Sequence, residues 1–169
     1  MSILAIDPGN TETGWVLIDA DRRPLFFGKT ENNQLLSLIR AGAEQVTADV
    51  QVIEMVASYG MAVGADVFET CVWIGRFQQA IAERTGAAPV LVKRLPVKLH
   101  HCHSSRAKDS NITQALVDRF APGQTNHGKG TKAEPGWFYG FAKDVWQAYA
   151  LAVYAADARA AVGANGAPY

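Results

Sequence analysis

ILAIDPGNTETGWVLID, residues 3–19, is the stretch that decides the fold. Ile3, Leu4, Ala5 and Ile6 form an apolar strand that runs straight into a carboxylate, Asp7, and then into a Pro-Gly turn. An unpaired charge at the end of a buried strand is costly, so it persists where a cation meets it. Working outward, residues 14–20 and 24–30 read as two further strands joined through the hairpin residues of "DADRR". A helix is predicted over 32–42, with Leu35, Leu36, Leu38 and Ile39 as its apolar stripe. "VQVIEM" at 50–55 is a short apolar strand that also ends beside a carboxylate, Glu54. A long helix follows at about 65–85, a fifth strand lies within "APVLVKRLP", and "SNITQALVDRF" is a helix that Ser110 can cap. A loop rich in Gly, Pro and Lys spans 121–140, and an alanine-rich helix spans 141–161. Three strands followed by alternating strands and helices predict an α/β domain with a mixed five-stranded sheet. No repeat or linker divides the chain, so one domain over 1–169 is expected.

The 169 residues carry zero net charge, but the charge is unevenly spread. Residues 1–83 hold 5 Lys/Arg against 11 Asp/Glu, whereas 84–133 hold 9 Lys/Arg against Asp109 and Asp118. All four histidines fall in that basic segment. A positive segment beside an acidic one suits a polyanion held near a cation-binding centre; a solvated basic face is the plainer alternative. No run is long enough to span a membrane and no signal pattern opens the chain, so a cytoplasmic protein with reduced Cys71 and Cys102 is expected.

Asp7 and Glu54 come from the ends of separate strands. If those strands are parallel neighbours, both carboxylates emerge at one edge. Asp144 begins the inward face of the last helix, continued by Ala148, Leu151 and Ala155 at helical spacing. Three carboxylates meeting there form an oxygen-rich pocket of the kind that hard divalent cations, Mg²⁺ or Mn²⁺, prefer.

At these residues the sequence resembles the RuvC-type Holliday junction resolvases, in a cellular or phage-type branch. Their opening motif D-P-G-x-x-x-T-G is matched at Asp7, Pro8, Gly9, Thr13 and Gly14. "VIEMVASYGM", "KDSNITQAL" and "DVWQAYALA" resemble the second acidic strand, the lysine-bearing helix entry and the terminal acidic helix, in the family's order. The resemblance implies a ribonuclease H-like fold, a homodimer, a branched-DNA substrate, and paired nicks made with two divalent ions. It implies Asp7, Glu54 and Asp144 as catalytic metal ligands and Lys108 as a catalytic phosphate contact. It departs from the family at the second helix ligand, where "QAYALA" places Gln147, an uncharged oxygen donor.

Lys98 and Arg106 are further candidate phosphate contacts, as are Lys129 and Lys132 in the Gly-rich loop. Tyr59 and Met61 follow Glu54 and are candidates for insertion at a junction centre. "LHHCH" at 99–103 lacks zinc-module spacing and reads as DNA contact or exposed surface. "GWFYGF" at 136–141 reads as core packing. The helix at 65–85 has two apolar faces, one with Phe68, Cys71 and Val72 and one with Trp73, Phe77 and Ile81. Only one can lie on the sheet, and Trp73, Phe77 and Ile81 are taken as the dimer contact. Two other functions are compatible with the residues. One is junction binding without cleavage, suggested by Gln147. The other is an actin or sugar-kinase type nucleotide-binding domain, which usually needs a second, duplicated domain.

Overall fold

The computed structural model describes residues 1–58, 60 and 62–164; Tyr59 and Met61, the candidates for junction insertion, lie outside them. Five strands, β1 (Ile3–Asp7), β2 (Glu12–Ile18), β3 (Pro24–Glu31), β4 (Val50–Met55) and β5 (Val90–Lys93), form one sheet in the order β3-β2-β1-β4-β5. The first three are antiparallel neighbours, and β4 and β5 run parallel to β1. This is the mixed sheet expected from the sequence. β1 is central, and its residues Ile3–Ile6 are fully buried because both faces of the sheet are covered.

Successive strand residues face opposite sides, so parity sorts the chain into two layers. Leu4, Ile6, Trp15, Leu17 and Ile53 pack on one face against α1 (Asn32–Ala41) and α2 (Ala65–Thr85). Ile3, Ala5, Val16, Ile18, Val52 and Val92 pack on the other against α3 (Arg94–Cys102), α4 (Asp109–Phe120) and α5 (Lys143–Ala164). The small residues Ala148, Ala150 and Ala152 of α5 are completely buried and bring this helix close to the sheet. The aromatic residues Phe138 and Phe141 close the same layer, so the "GWFYGF" run is core at these two positions, whereas Tyr139 is exposed.

Three local expectations are corrected. Residues 94–102 form a helix, α3, where the sequence pattern suggests the end of a strand; Pro96 fits because it falls in the first turn, where its missing N–H is not needed. Ser110 lies inside α4, whose N-cap is Lys108, with the Asn111 side chain accepting from the Lys108 backbone N–H at 2.9 Å. The "LHHCH" run is not free surface at its two central histidines, which have partners within the protein. His100 meets Asp157 at 2.8 Å, and His101 donates to the Ala150 carbonyl at 2.9 Å, which ties α3 to α5. Burial holds the His101 ring down at about 4, so it is neutral there. Asp157 also takes Arg22 at 2.7 Å and Arg119, joining α5 to the β2–β3 hairpin and to α4. Against the cost of burial, these partners hold its carboxyl below the ordinary value.

The dimer face is corrected as well. Phe77 and Ile81 are fully buried against the sheet, and Trp73 packs beside them. The opposite face of α2 is the free one, with Phe68 64% and Val72 62% exposed. Among the described residues, no helix is long and apolar enough to cross a membrane. Phe77→Glu is expected to unfold the protein. Losing the ring alone costs about 3–5 kcal/mol, a buried unpaired carboxylate adds to that, and total stability is only about 5–15 kcal/mol. Phe68→Glu should leave the circular dichroism spectrum nearly unchanged. A stable Phe77→Glu protein would contradict this packing.

Candidate active site

The site lies where the apolar columns of the α5 face end. Column Ile3-Ala5 ends in Asp7, Val50-Val52 in Glu54, Val16 in Gly14, and Phe27 in Lys29. Asp7 pairs with Gly14, and Gly14 with Lys29; Glu54 is one step past the last paired residues of β1 and β4, Ile6 and Ile53. One row across the sheet therefore reads Lys29, Gly14, Asp7, Glu54. The parallel pairing of β1 with β4 puts the two acids at one edge because both strands end there.

Gly14 explains how Asp144 joins them. A Cβ at Gly14 would stand 2.6 Å from the Asp144 carbonyl oxygen and 3.0 Å from its Cβ, so only glycine lets the first turn of α5 rest on β2 here. The turn carrying Asp7 is itself fastened. Buried Thr13 donates to the Asn32 side-chain oxygen at 2.7 Å, and the Asn32 amide donates to the Gly9 carbonyl at 3.0 Å. The motif's Thr and Gly are thus the supports of its Asp.

Two cations that the sequence motifs do not single out hold the acids apart. Lys29 bridges Asp144 at 2.9 Å and Glu12 at 3.1 Å. Arg94, the first residue of α3, bonds Glu54 at 3.1 Å and Asp109 at 2.7 Å, and also donates to the Gln147 side-chain oxygen. Gln147 is therefore in the site, one turn after Asp144, with its oxygen engaged by a guanidinium. Glu54 pairs with this arginine and not with a surface lysine. With Asp144 and Glu54 drawn to these partners, no three His, Cys, Asp or Glu side chains among the described residues form a ready-made metal cage.

Asp7 is left with too little positive charge. Burial, then the neighbouring Glu54, and further Asp144 and Asp109, push its carboxyl up to about 8 against the pull of Arg94. Burial also raises Glu54, against Arg94. Five carboxylates (Asp7, Glu12, Glu54, Asp109, Asp144) share two cations. An all-oxygen, under-neutralised donor set of this kind fits a hard divalent ion.

The basic residues divide between two places. Lys108 is exposed and immediately precedes Asp109, at the rim of the acids. Lys98 lines a depression of about 310 Å³ with Arg94, Leu95 and Ser105, and Arg106 is exposed on the segment that leads to Lys108. Lys129 and Lys132 are not brought to the acids. Their loop is anchored where Trp137 donates to the Tyr149 hydroxyl at 3.0 Å and meets Arg23, at the hairpin end of the sheet.

This sheet with its flanking helices is the ribonuclease H-like fold. The solved structures it matches include RuvC of Thermus thermophilus, with a TM-score of 0.68 and 16% identity, covering 95% of this chain and 97% of that one. A second match is T. thermophilus RuvC in complex with a Holliday junction substrate, with a TM-score of 0.68, 15% identity, and coverage of 95% and 96%. No protein-family model and no curated protein sequence matches the chain. The fold implied by the sequence resemblance is therefore the one found.

Asp7 predicts a pH dependence. Its carboxyl binds a proton more tightly folded (about 8) than at its ordinary value of 3.8. Across that window the folded state keeps a proton that the unfolded state has released, so stability without metal falls as pH rises and levels off above about 8. Asp7→Asn should melt like the parent near pH 4 and higher than the parent near pH 9, by a few kcal/mol. Added Mg²⁺ should remove the difference by stabilising only the parent. Equal melting temperatures at both pH values would show that Asp7 carries no such strain.

Proposed function

We propose that the protein is a divalent-metal-dependent endonuclease that cuts four-way DNA junctions. The observation supporting this most strongly is the convergence of Asp7, Glu54 and Asp144 at one edge of a sheet that follows the RuvC fold over nearly the whole chain. Asp7 and Asp144, with Glu54, would hold Mg²⁺ or Mn²⁺; two ions per site is the number the family resemblance implies. A divalent ion there would activate a water and stabilise the leaving oxygen of an in-line displacement.

The chain's own residues do the rest. Asp7 releases its proton when the cation binds, since a ligating carboxylate is ionised. Lys29 fixes the Asp144 carboxylate by its bridge to Glu12. Lys108, at the N-terminus of α4, offers an ammonium beside free helix amides, a setting that favours a phosphate. Lys98 and Arg106 extend this rim along the backbone, and Lys129 and Lys132 would meet a DNA arm farther from the cut. Sequence-independent contacts of this kind suit recognition of branch geometry.

Matched nicks on opposed strands need two sites related by a dyad, and cyclic dimers are the commonest closed assembly. The exposed Phe68 and Val72 of α2 give the chain an apolar surface for a second copy. A second reading, junction binding without cleavage, is favoured by Gln147 and by the engagement of Glu54 with Arg94.

Incubation with a synthetic four-way junction and Mg²⁺ separates the two. Symmetric nicks with 5′-phosphate ends are expected. Asp7→Asn, Glu54→Gln and Asp144→Asn should each lower nicking by about 10²-fold or more, the scale of losing a preorganised electrostatic group, while binding persists. A shifted junction that is never cut by the parent would establish the binding-only reading. Lys108→Ala should slow nicking more than it weakens binding. Replacing Lys129 and Lys132 together should reduce the salt slope of binding by about one to two, and an unmoved slope would keep that loop off the phosphates.

A further inference from the structure

Arg94 has no counterpart among the residues that the family resemblance supplies, yet it is the most connected group in the site. Its guanidinium ties together Glu54 of β4, Asp109 of α4 and Gln147 of α5. Its side chain is 19% exposed, so it is neither a surface ornament nor sealed away. The exposed edge lines the depression it shares with Lys98.

Two facts of composition bear on this placement. The position one turn after Asp144 carries Gln147, so the site lacks one negative charge. A guanidinium brings a fixed positive charge to the same spot and stays charged at every working pH. Fewer negative ligands and one built-in cation both reduce the attraction for a second divalent ion on the Glu54 side. On the Asp7 side, neither Arg94 nor Lys29 makes a hydrogen bond to Asp7 among the described residues, so its carboxylate oxygens stay open to an ion.

Resting on the nuclease reading, we propose that Arg94 takes the place of the second divalent ion: each chain binds one ion, at Asp7, and the Arg94 guanidinium supplies the other positive charge to the scissile phosphate. The donor count allows it. Nη1 donates once to Glu54 and Nη2 donates to Asp109 and Gln147, so one Nη1 proton and the Nε proton of the five are free for phosphate oxygens. In the step itself, water adds across the phosphorus–O3′ bond. The attacking water gives up one proton, the departing 3′ oxygen takes one, and Arg94 donates hydrogen bonds without transferring a proton.

Counting bound Mn²⁺ by electron paramagnetic resonance, on the whole protein without DNA, tests the proposal independently of turnover. The parent is expected to bind one ion per chain. Arg94→Ala frees oxygens of Glu54, Asp109 and Gln147 and should raise the count to two, while Arg94→Lys, which keeps the charge, should stay at one. Nicking should fall by about 10²-fold in Arg94→Ala, the scale of losing one electrostatic donor, and by less in Arg94→Lys. Two ions bound by the parent would overturn the proposal, and so would an Arg94→Ala count that stays at one. If Arg94→Ala does not fold, the parent count and Arg94→Lys decide. A parent that nicks junctions with two ions refutes only the role of Arg94, whereas a parent that binds no Mn²⁺ and cuts no junction refutes the nuclease reading beneath it.

Discussion

The arrangement depends on one close approach, that of the first turn of α5 to the backbone of β2 at Gly14. With a side chain at that position α5 would have to lift, because a Cβ would lie 2.6 Å from the Asp144 carbonyl oxygen. Lifting α5 would take Asp144 away from Asp7 and would open the alanine-lined contact that fills the core of this face. Asp7 itself ends the central strand, paired with Gly14 of β2 and one step past the last pair of β1 with β4. The site is thus assembled by the same contacts that close the core, and its precision comes from regular elements and not from a loop.

Charge then decides what such an assembly can do. Carboxylates are brought together by backbone geometry, which takes no account of their repulsion. Lys29 and Arg94 offset part of it, each by pairing with two acids. Asp7, between them, keeps its proton up to about 8. A site poised in this way would gain most from a cation that reaches Asp7, whose binding would release that proton.

Much of this is legible in the sequence. Asp7 and Glu54 are readable as strand-end acids that meet if their strands are parallel neighbours, and helical spacing turns Asp144 inward. The glycine and threonine of the opening motif are readable as signals, although their purpose, clearance for α5 and a tether through Asn32, needs the packing. Lys29 and Arg94 are not legible. An isolated long cation has no periodicity, and Lys29 reaches the site only through the Asp7-Gly14-Lys29 register, which the hairpin sets. Arg94 is hidden for a second reason: it falls within "APVLVKRLP", the stretch read for its strand, whereas α3 starts at Arg94 with Pro96 in its tolerated first turn. Spacing cannot choose between Phe77 and Phe68 as the buried side of α2, since both faces are apolar. The sheet makes the choice, by offering Leu4, Ile6 and Ile53 to the Phe77 side.

The cation site proposed for the strand-end acids has its focus at Asp7. Anomalous diffraction from crystals of the protein soaked in Mn²⁺ measures this directly. A peak is expected in contact with the Asp7 carboxylate and within reach of Asp144, with Arg94 still on Glu54. Mn²⁺ density that avoids Asp7, or no density at Asp7 with Asp144 still bridged to Lys29 at saturating Mn²⁺, would contradict it.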